Sequence, residues 1–161
     1  MSADVASKST NNLKLVPQTI EEVRARIEAM SPDDKAQLSA DWLALVHGST
    51  SADPWIHGFS IVTRDRETLV GTCGFKGPPA DGVVEIAYGV SPDHQGKGYA
   101  TEAAQIMTDY AFSSGKVRVV RAHTLPDWNA STRVLTKCGF RRIGEVIDPE
   151  DGLVWRWEKE G

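Results

Sequence analysis

Gln95-Gly96-Lys97-Gly98-Tyr99-Ala100-Thr101 is the stretch that decides how the rest of this chain is read. Just before it, Val83-Val84-Glu85-Ile86-Ala87-Tyr88-Gly89-Val90 has the two-residue period of a strand, with Val84, Ile86, Tyr88 and Val90 on one face and Val83, Glu85, Ala87 and Gly89 on the other. Ser91-Pro92-Asp93 breaks that strand. After the loop, Ala103, Ile106, Met107, Tyr110 and Ala111 recur at helical spacing over residues 99–112, Gly115 stops the helix, and residues 117–123 return as a strand. A strand, a helix and a strand in this order favour a right-handed crossover between neighbouring parallel strands. The first N–H groups of a helix have no intrahelical partner, and the helix dipole favours anions at that end. Gly96 and Gly98 keep side chains away from the backbone there, so the loop predicts a cradle for a pyrophosphate. Lys97 either adds positive charge or faces solvent. The plainer alternative is that the two glycines only shape a turn. The dinucleotide fingerprint G-x-G-x-x-G is incomplete, because Thr101 stands in the last glycine position, and the loop G-x-x-x-x-G-K-[ST] is absent.

Toward the N-terminus, residues 13–16 read as a short strand. Thr19 reads as an N-cap with Glu22 completing a capping box, and Ile20, Val23, Ile27 and Met30 form one apolar stripe. Ser31-Pro32-Asp33-Asp34 starts a second helix expected to run to about residue 46. Residues 59–62 and 69–73 read as strands around a polar turn, and residues 77–82 as a loop. Toward the C-terminus, residues 131–138 fit a helix with Ser131 as N-cap and Val134, Leu135 and Cys138 turned inward. Residues 140–146 and 153–157 fit a closing antiparallel hairpin. The sum is a mixed α/β domain over residues 12–161 behind a flexible tail at residues 1–11, with no internal repeat and no linker.

The bulk numbers agree. A chain of 161 residues suits one domain, and 40% hydrophobic with 25% charged residues reads as an ordinary soluble protein. The apolar runs are too short to span a bilayer, and the small, polar first ten residues lack the apolar stretch of a secretory signal, so a cytoplasmic, membrane-free protein is expected. A net charge of −4 without a basic tract argues against nucleic acid as a partner. Cys73 and Cys138 stand far apart in apolar surroundings and read as buried thiols, and the four histidines have no metal-ligand spacing, so no metal is expected.

Gln95-x-x-Gly98-x-Ala100 resembles the Q/R-x-x-G-x-G/A motif of the GCN5-related N-acetyltransferases (GNAT). The resemblance covers roughly residues 13–158 and is nearest to the branch that acetylates ribosomal-protein N-termini at serine or alanine. His94-Gln95-Gly96-Lys97-Gly98-Tyr99-Ala100-Thr101-Glu102-Ala103 and Ala130-Ser131-Thr132-Arg133-Val134-Leu135-Thr136-Lys137-Cys138-Gly139-Phe140 carry it, in the right order with a strand between. It implies a mostly antiparallel sheet splayed between its central parallel strands and flanked by helices. It implies acetyl-CoA as acyl donor and CoA as product. The pyrophosphate would lie on backbone N–H groups from Gln95 or Gly96 through Thr101. The pantetheine arm would pair with backbone near Tyr88 to Val90, and a Val90 N–H would face the thioester carbonyl.

An amine nucleophile must lose a proton, and Glu85, an acid within an apolar strand, is the candidate base. Burial is expected to raise its pKa. The alternative is that Glu85 neutralises Arg118 or Arg121. Ser131 is the second catalytic candidate, since in the resembled branch the matching serine approaches the CoA sulfur. The chain departs from the family twice. Leu135 stands where many members carry a tyrosine acid, and Trp128 stands where an asparagine is usual, so Asn129 becomes the candidate to bond the pantetheine amides. His57 and His123 are candidates for substrate contact or proton transfer. The expected acceptor is the N-terminal α-amine of a protein or peptide, the alternatives being a small-molecule amine or a binding module without turnover. A homodimer is left open.

Overall fold

The computed structural model of the chain describes residues 8–9, 12–149 and 151–161. The expected tail at residues 1–11 lies outside the described residues except for Lys8–Ser9, a two-residue strand β1 paired with β2 (Leu13–Pro17). The other strands are β3 (Phe59–Thr63), β4 (Leu69–Phe75), β5 (Val83–Val90), β6 (Val119–Thr124), β7 (Arg141–Asp148) and β8 (Gly152–Glu160). They form one eight-stranded sheet in the order β1-β2-β3-β4-β5-β6-β8-β7. Every neighbouring pair is antiparallel except β5 and β6. That parallel pair is the product of the crossover through α5 (Tyr99–Ser113), as strand, glycine loop and helix required.

The two parallel strands separate soon after they meet. Their register holds only for Val83 to Glu85 against Val119 to Arg121. Beyond that, β5 stays with β4 up to Val90, while β6 stays with β8 up to Thr124. Gly71 is what lets β4 and β5 lie so close. A Cβ at Gly71 would stand 2.1 Å from the Gly89 carbonyl oxygen and 3.0 Å from the Val90 Cα. Those are backbone atoms and cannot swing aside. Gly71→Ala is therefore expected to destabilise the protein by about 2–3 kcal/mol, read as a lowered midpoint in thermal denaturation; an unchanged midpoint would mean that β4 and β5 are not packed this tightly.

Four further helices complete the chain on the N-terminal side: α1 (Ile20–Ala29), α2 (Pro32–Ala36), α3 (Ala40–His47) and α4 (Pro54–His57). Thr19 caps α1 through the capping box with Glu22, as read from sequence. The single helix expected from residue 31 to 46 is two. Ser31 caps α2, and Ser39 caps α3 by accepting the Trp42 N–H at 3.3 Å, so a second serine cap restarts the helix. The turn α4 was not expected from sequence, although Asp53-Pro54 carries its signal: Asp53 accepts the Trp55 N–H, and Pro54 opens the first turn. The remaining helix, α6 (Ala130–Lys137), packs on α5.

Apolar burial holds these parts together. Ala103, Ala104, Met107 and Ala111 of α5 are fully buried against Phe59, Ile61, Val84, Ile86 and Val120 of the sheet. Each buried aliphatic or aromatic side chain contributes about 1.5–3 kcal/mol. A smaller cluster of Val23, Ile27 and Val46, with Trp42 and Ile56 packed on it, fastens α1 to α3 and α4. Both cysteines are free and buried. Among the described residues, no helix is long and apolar enough to cross a membrane.

Candidate active site

The glycine loop enters α5 with the geometry the sequence implied. Residues Pro92–His94 form one 3-10 turn, and Gly96 and Gly98 follow in left-handed conformation, with φ of 79° and 83°. Only glycine takes that conformation without strain, about 1–2 kcal/mol for other residues. The first bond of the α5 ladder runs from the Glu102 N–H to the Gly98 carbonyl at 3.1 Å. The N–H groups of Tyr99, Ala100 and Thr101 therefore precede the ladder at the positive end of the helix. A Cβ at either glycine would meet nothing within 4 Å, so the space before this end is open. Such an arrangement suits a phosphate or pyrophosphate. Lys97 is exposed beside it. The Gln95 side chain turns back and donates to the Val90 carbonyl at 2.9 Å, tying the loop to the end of β5.

Where β5 and β6 part, the backbone of β5 is left open. The Lys76 N–H donates to the Glu85 carbonyl at 2.9 Å, and the Ser91 N–H to the Val70 carbonyl at 2.8 Å. Residues 85, 87 and 89 thus turn their polar groups toward β4, and Tyr88 and Val90 turn theirs toward the gap. A cleft of about 290 Å³ occupies the gap, lined by Glu85, Tyr88, His123, Thr124 and Ser131 among others. Tyr88 and Ser131 both line this cleft, and burial pushes the Tyr88 phenol well above its ordinary pKa.

Glu85 is the centre of a polar chain. Its Oε2 accepts from His123 Nδ1 at 2.8 Å and lies 3.2 Å from Lys76 Nζ. Arg156 Nε donates to His123 Nε2 at 3.1 Å. Since Arg156 can only donate, His123 carries its proton on Nδ1 and points it at the carboxylate. Neither arginine expected beside Glu85 is its partner: Arg121 forms an ion pair with Glu158 at 2.7 Å, and the Arg118 side chain lies against Gly82. The pKa moves opposite to expectation. Burial alone would raise it, but the His123 hydrogen bond and the positive charge of Lys76 outweigh burial, and the carboxyl is held below its ordinary value.

Two sequence expectations change around α6. Its N-cap is Asn129, whose Oδ1 accepts the Thr132 N–H at 3.1 Å, while Ser131 sits one step inside the helix. Asparagine ranks at least with serine as a cap, and the capping box with Thr132 decides between them. Ser131 is thereby free to face the cleft. Asn129 lies on a separate surface groove with the exposed Trp128. With its Oδ1 engaged, only its amide NH₂ is left for a pantetheine carbonyl. Leu135 is fully buried and supplies no acid.

A second cavity, of about 280 Å³, adjoins the first across Lys76, Ala87 and Tyr88. Gln18, Arg26, Trp42, Ile56 and His57 stand on its far wall. His57 had been singled out from sequence; Gln18, Arg26 and Lys76 had not. Nothing in their spacing distinguishes them from ordinary surface polar residues, since three separate elements bring them together. Among the described residues there is no group of His, Cys, Asp and Glu fit to hold a metal ion.

Residues 7–141 match the family described as acetyltransferase (GNAT) domain. Among curated proteins, "Uncharacterized N-acetyltransferase p20" of Bacillus licheniformis is 34% identical over 93 residues, covering 57% of this chain and 52% of that protein. The chain thus matches about half the length of that relative. Among solved structures, a GNAT-family acetyltransferase from Bacillus anthracis superposes with a TM-score of 0.70 at 23% identity, covering 96% of this chain and 98% of that one. A putative ribosomal-protein-serine acetyltransferase from Vibrio cholerae gives 0.66 at 16% identity, covering 96% and 97%. At these identities the two structures establish the likeness of fold.

Proposed function

The chain belongs to the GNAT acetyltransferase family, and on that premise we propose that it transfers the acetyl group of acetyl-CoA to an α-amine and releases CoA. One observation carries the reading: β5 leaves β6 beyond Glu85, a cleft lined by Tyr88 opens between them, and the end of β5 at Val90 is tied to the glycine loop through Gln95. Residues 96–101 would hold the pyrophosphate by backbone N–H groups, with Lys97 alongside. Tyr88 and Val90 would pair with the pantetheine amides. The Val90 N–H would stabilise negative charge on the thioester oxygen as the amine attacks, a role worth about 3–4 kcal/mol for one donor. Ser131, which lines the cleft with Tyr88, would donate to the departing sulfur.

The nature of the base supports an α-amine as the acceptor, with a protein or peptide N-terminus as the first expectation. A carboxylate bonded to both His123 and Lys76 is a weak base. An α-amine has a pKa near 8 and needs little help at neutral pH, whereas a lysine amine near 10.4 needs far more. Glu85 would take the proton through water at its other oxygen.

The test is free-thiol release from acetyl-CoA with peptides beginning in Ser, Ala or Thr and with small amines. The expected result is amine-dependent thiol release, with mass spectrometry locating the acetyl group on an α-amine. Binding of acetyl-CoA with no thiol release for any amine would instead support a module without turnover.

A further inference from the structure

We propose that the acceptor carries a carboxylate close to its α-amine and that Arg26, in the cavity beside the cleft, receives it. The inference rests on the acetyl-transfer reading and names the acceptor class for it. Arg26 projects from the last turn of α1 into the wall of that cavity. Its guanidinium donates to Gln18 Oε1. Gln18 is itself 4% exposed and held by its Nε2, which donates to the His57 carbonyl at 2.8 Å. Arg26 is thus aimed by a buried amide, which is neutral and does not balance its charge. Among the described residues, no carboxylate lies within 4.0 Å of it.

Burial lowers the pKa of the guanidinium, opposed by the charge of Glu22 one turn back. A cation partly stripped of water, with no carboxylate within 4.0 Å, is costly, and a carboxylate arriving in its fork relieves that cost with two parallel hydrogen bonds. His57 is 2% exposed and lines the same cavity. Its Nδ1 lies 2.9 Å from the Asp53 nitrogen and 3.3 Å from the Asp53 carbonyl oxygen, and its Nε2 is buried without a partner. The described lining of this cavity includes two cations, Arg26 and Lys76, and neither aspartate nor glutamate. Trp42, Ile56 and Phe75 supply its apolar walls. Lys76 is paired with Glu85 of the adjoining cleft, so Arg26 is the cation of this lining without a carboxylate, and a polyamine or an aminoglycoside would find no carboxylate in the lining of this cavity itself. The local charge is therefore opposite to what the net charge of −4 suggests for an acceptor.

The carboxylate has two chemical sources: the α-carboxylate of a free amino acid, or an acidic first side chain on a peptide. Two matched pairs separate them: L-phenylalanine against L-phenylalaninamide, and Glu-Ala-Ala-amide against Gln-Ala-Ala-amide, with spermidine as the cationic probe. Binding of each probe to the full chain with CoA is measured by calorimetry, and thiol release from acetyl-CoA is measured alongside. The expected result is that the carboxylate member of one pair binds and reacts at least ten-fold better, that Arg26→Gln abolishes this preference, that Arg26→Lys restores part of it, and that acetyl-CoA affinity is unchanged in both variants. Equal behaviour within both pairs, a preference for spermidine, or an Arg26→Gln variant that weakens all acceptors alike would overturn the inference. Thiol release without carboxylate preference would leave acetyl transfer standing and remove the role of Arg26. Carboxylate binding that depends on Arg26 but never releases thiol would do the reverse.

Discussion

Replacing Glu85 by glutamine is expected to lower kcat by about 100-fold at neutral pH, at the lower end of what a general base contributes. The modest size follows from its partners. With Oε2 bound to His123 and Lys76, the carboxyl is held below its ordinary pKa and accepts a proton reluctantly. On the proposed mechanism its role would be to stay ionised next to an ammonium that must become an amine. As pH rises past about 8, the α-amine loses its proton to solvent and the defect of Glu85→Gln is expected to shrink toward ten-fold. For the unaltered protein, kcat/KM is expected to rise through the pKa of the acceptor amine, with no inflection from Glu85 between pH 6 and 7. An inflection there that vanishes in Glu85→Gln would show a raised carboxyl, contrary to the geometry. The sign for stability is fixed as well. A carboxyl whose folded pKa is lowered contributes stability above its unfolded pKa of about 4.3, and that contribution is lost as pH falls through the lower folded value. Acid unfolding of the Glu85→Gln variant should therefore depend less on pH below about 4.3.

The second large effect is expected at Gly98. Valine there would have to adopt a φ of 83°, strained for a β-branched residue, and would fill the open space in front of α5. Acetyl-CoA affinity should fall at least 100-fold, equivalent to about 2.7 kcal/mol, while folding stability drops by only about 1–2 kcal/mol. Gly98→Ala separates the two contributions. It should carry most of the backbone strain and less of the blockade, so its stability should approach that of Gly98→Val while its acetyl-CoA affinity stays well above it. Calorimetry with acetyl-CoA and thermal denaturation read the two quantities independently. If affinity fell only in step with stability in both variants, the loop would be a turn and not a phosphate cradle.

Much of the chain was legible before any coordinates. The capping box of Thr19 and Glu22, the two-residue period of Val83–Val90, the buried stripe of Ala103, Ile106, Met107, Tyr110 and Ala111, and the closing hairpin all depend on residues a few positions apart. So does the loop at Gly96 and Gly98, whose left-handed conformation is nearly a property of glycine itself. Competing local signals misled where two were available: Ser131 and Asn129 are both good caps, and only the box with Thr132 decides between them. Ser39 likewise restarts a helix that apolar spacing alone would have continued.

What the sequence determined by itself was thus the order of elements, the glycine loop between a strand and a helix, and the family that this pair of motifs marks. Only the tertiary structure decided which groups meet. Glu85 is joined by His123 from β6 and by Lys76 from the end of β4, and neither separation along the chain implies contact. The backbone of Tyr88 is turned toward a gap because two strands diverge, and the cavity holding Arg26, Gln18 and His57 exists because α1 and α4 close over β4 and β5. Local spacing dictates dihedral preference and which face of an element is apolar. The charge felt by a carboxylate, and the partner left missing from a guanidinium, depend on side chains from distant elements, and packing alone brings those within a few ångströms.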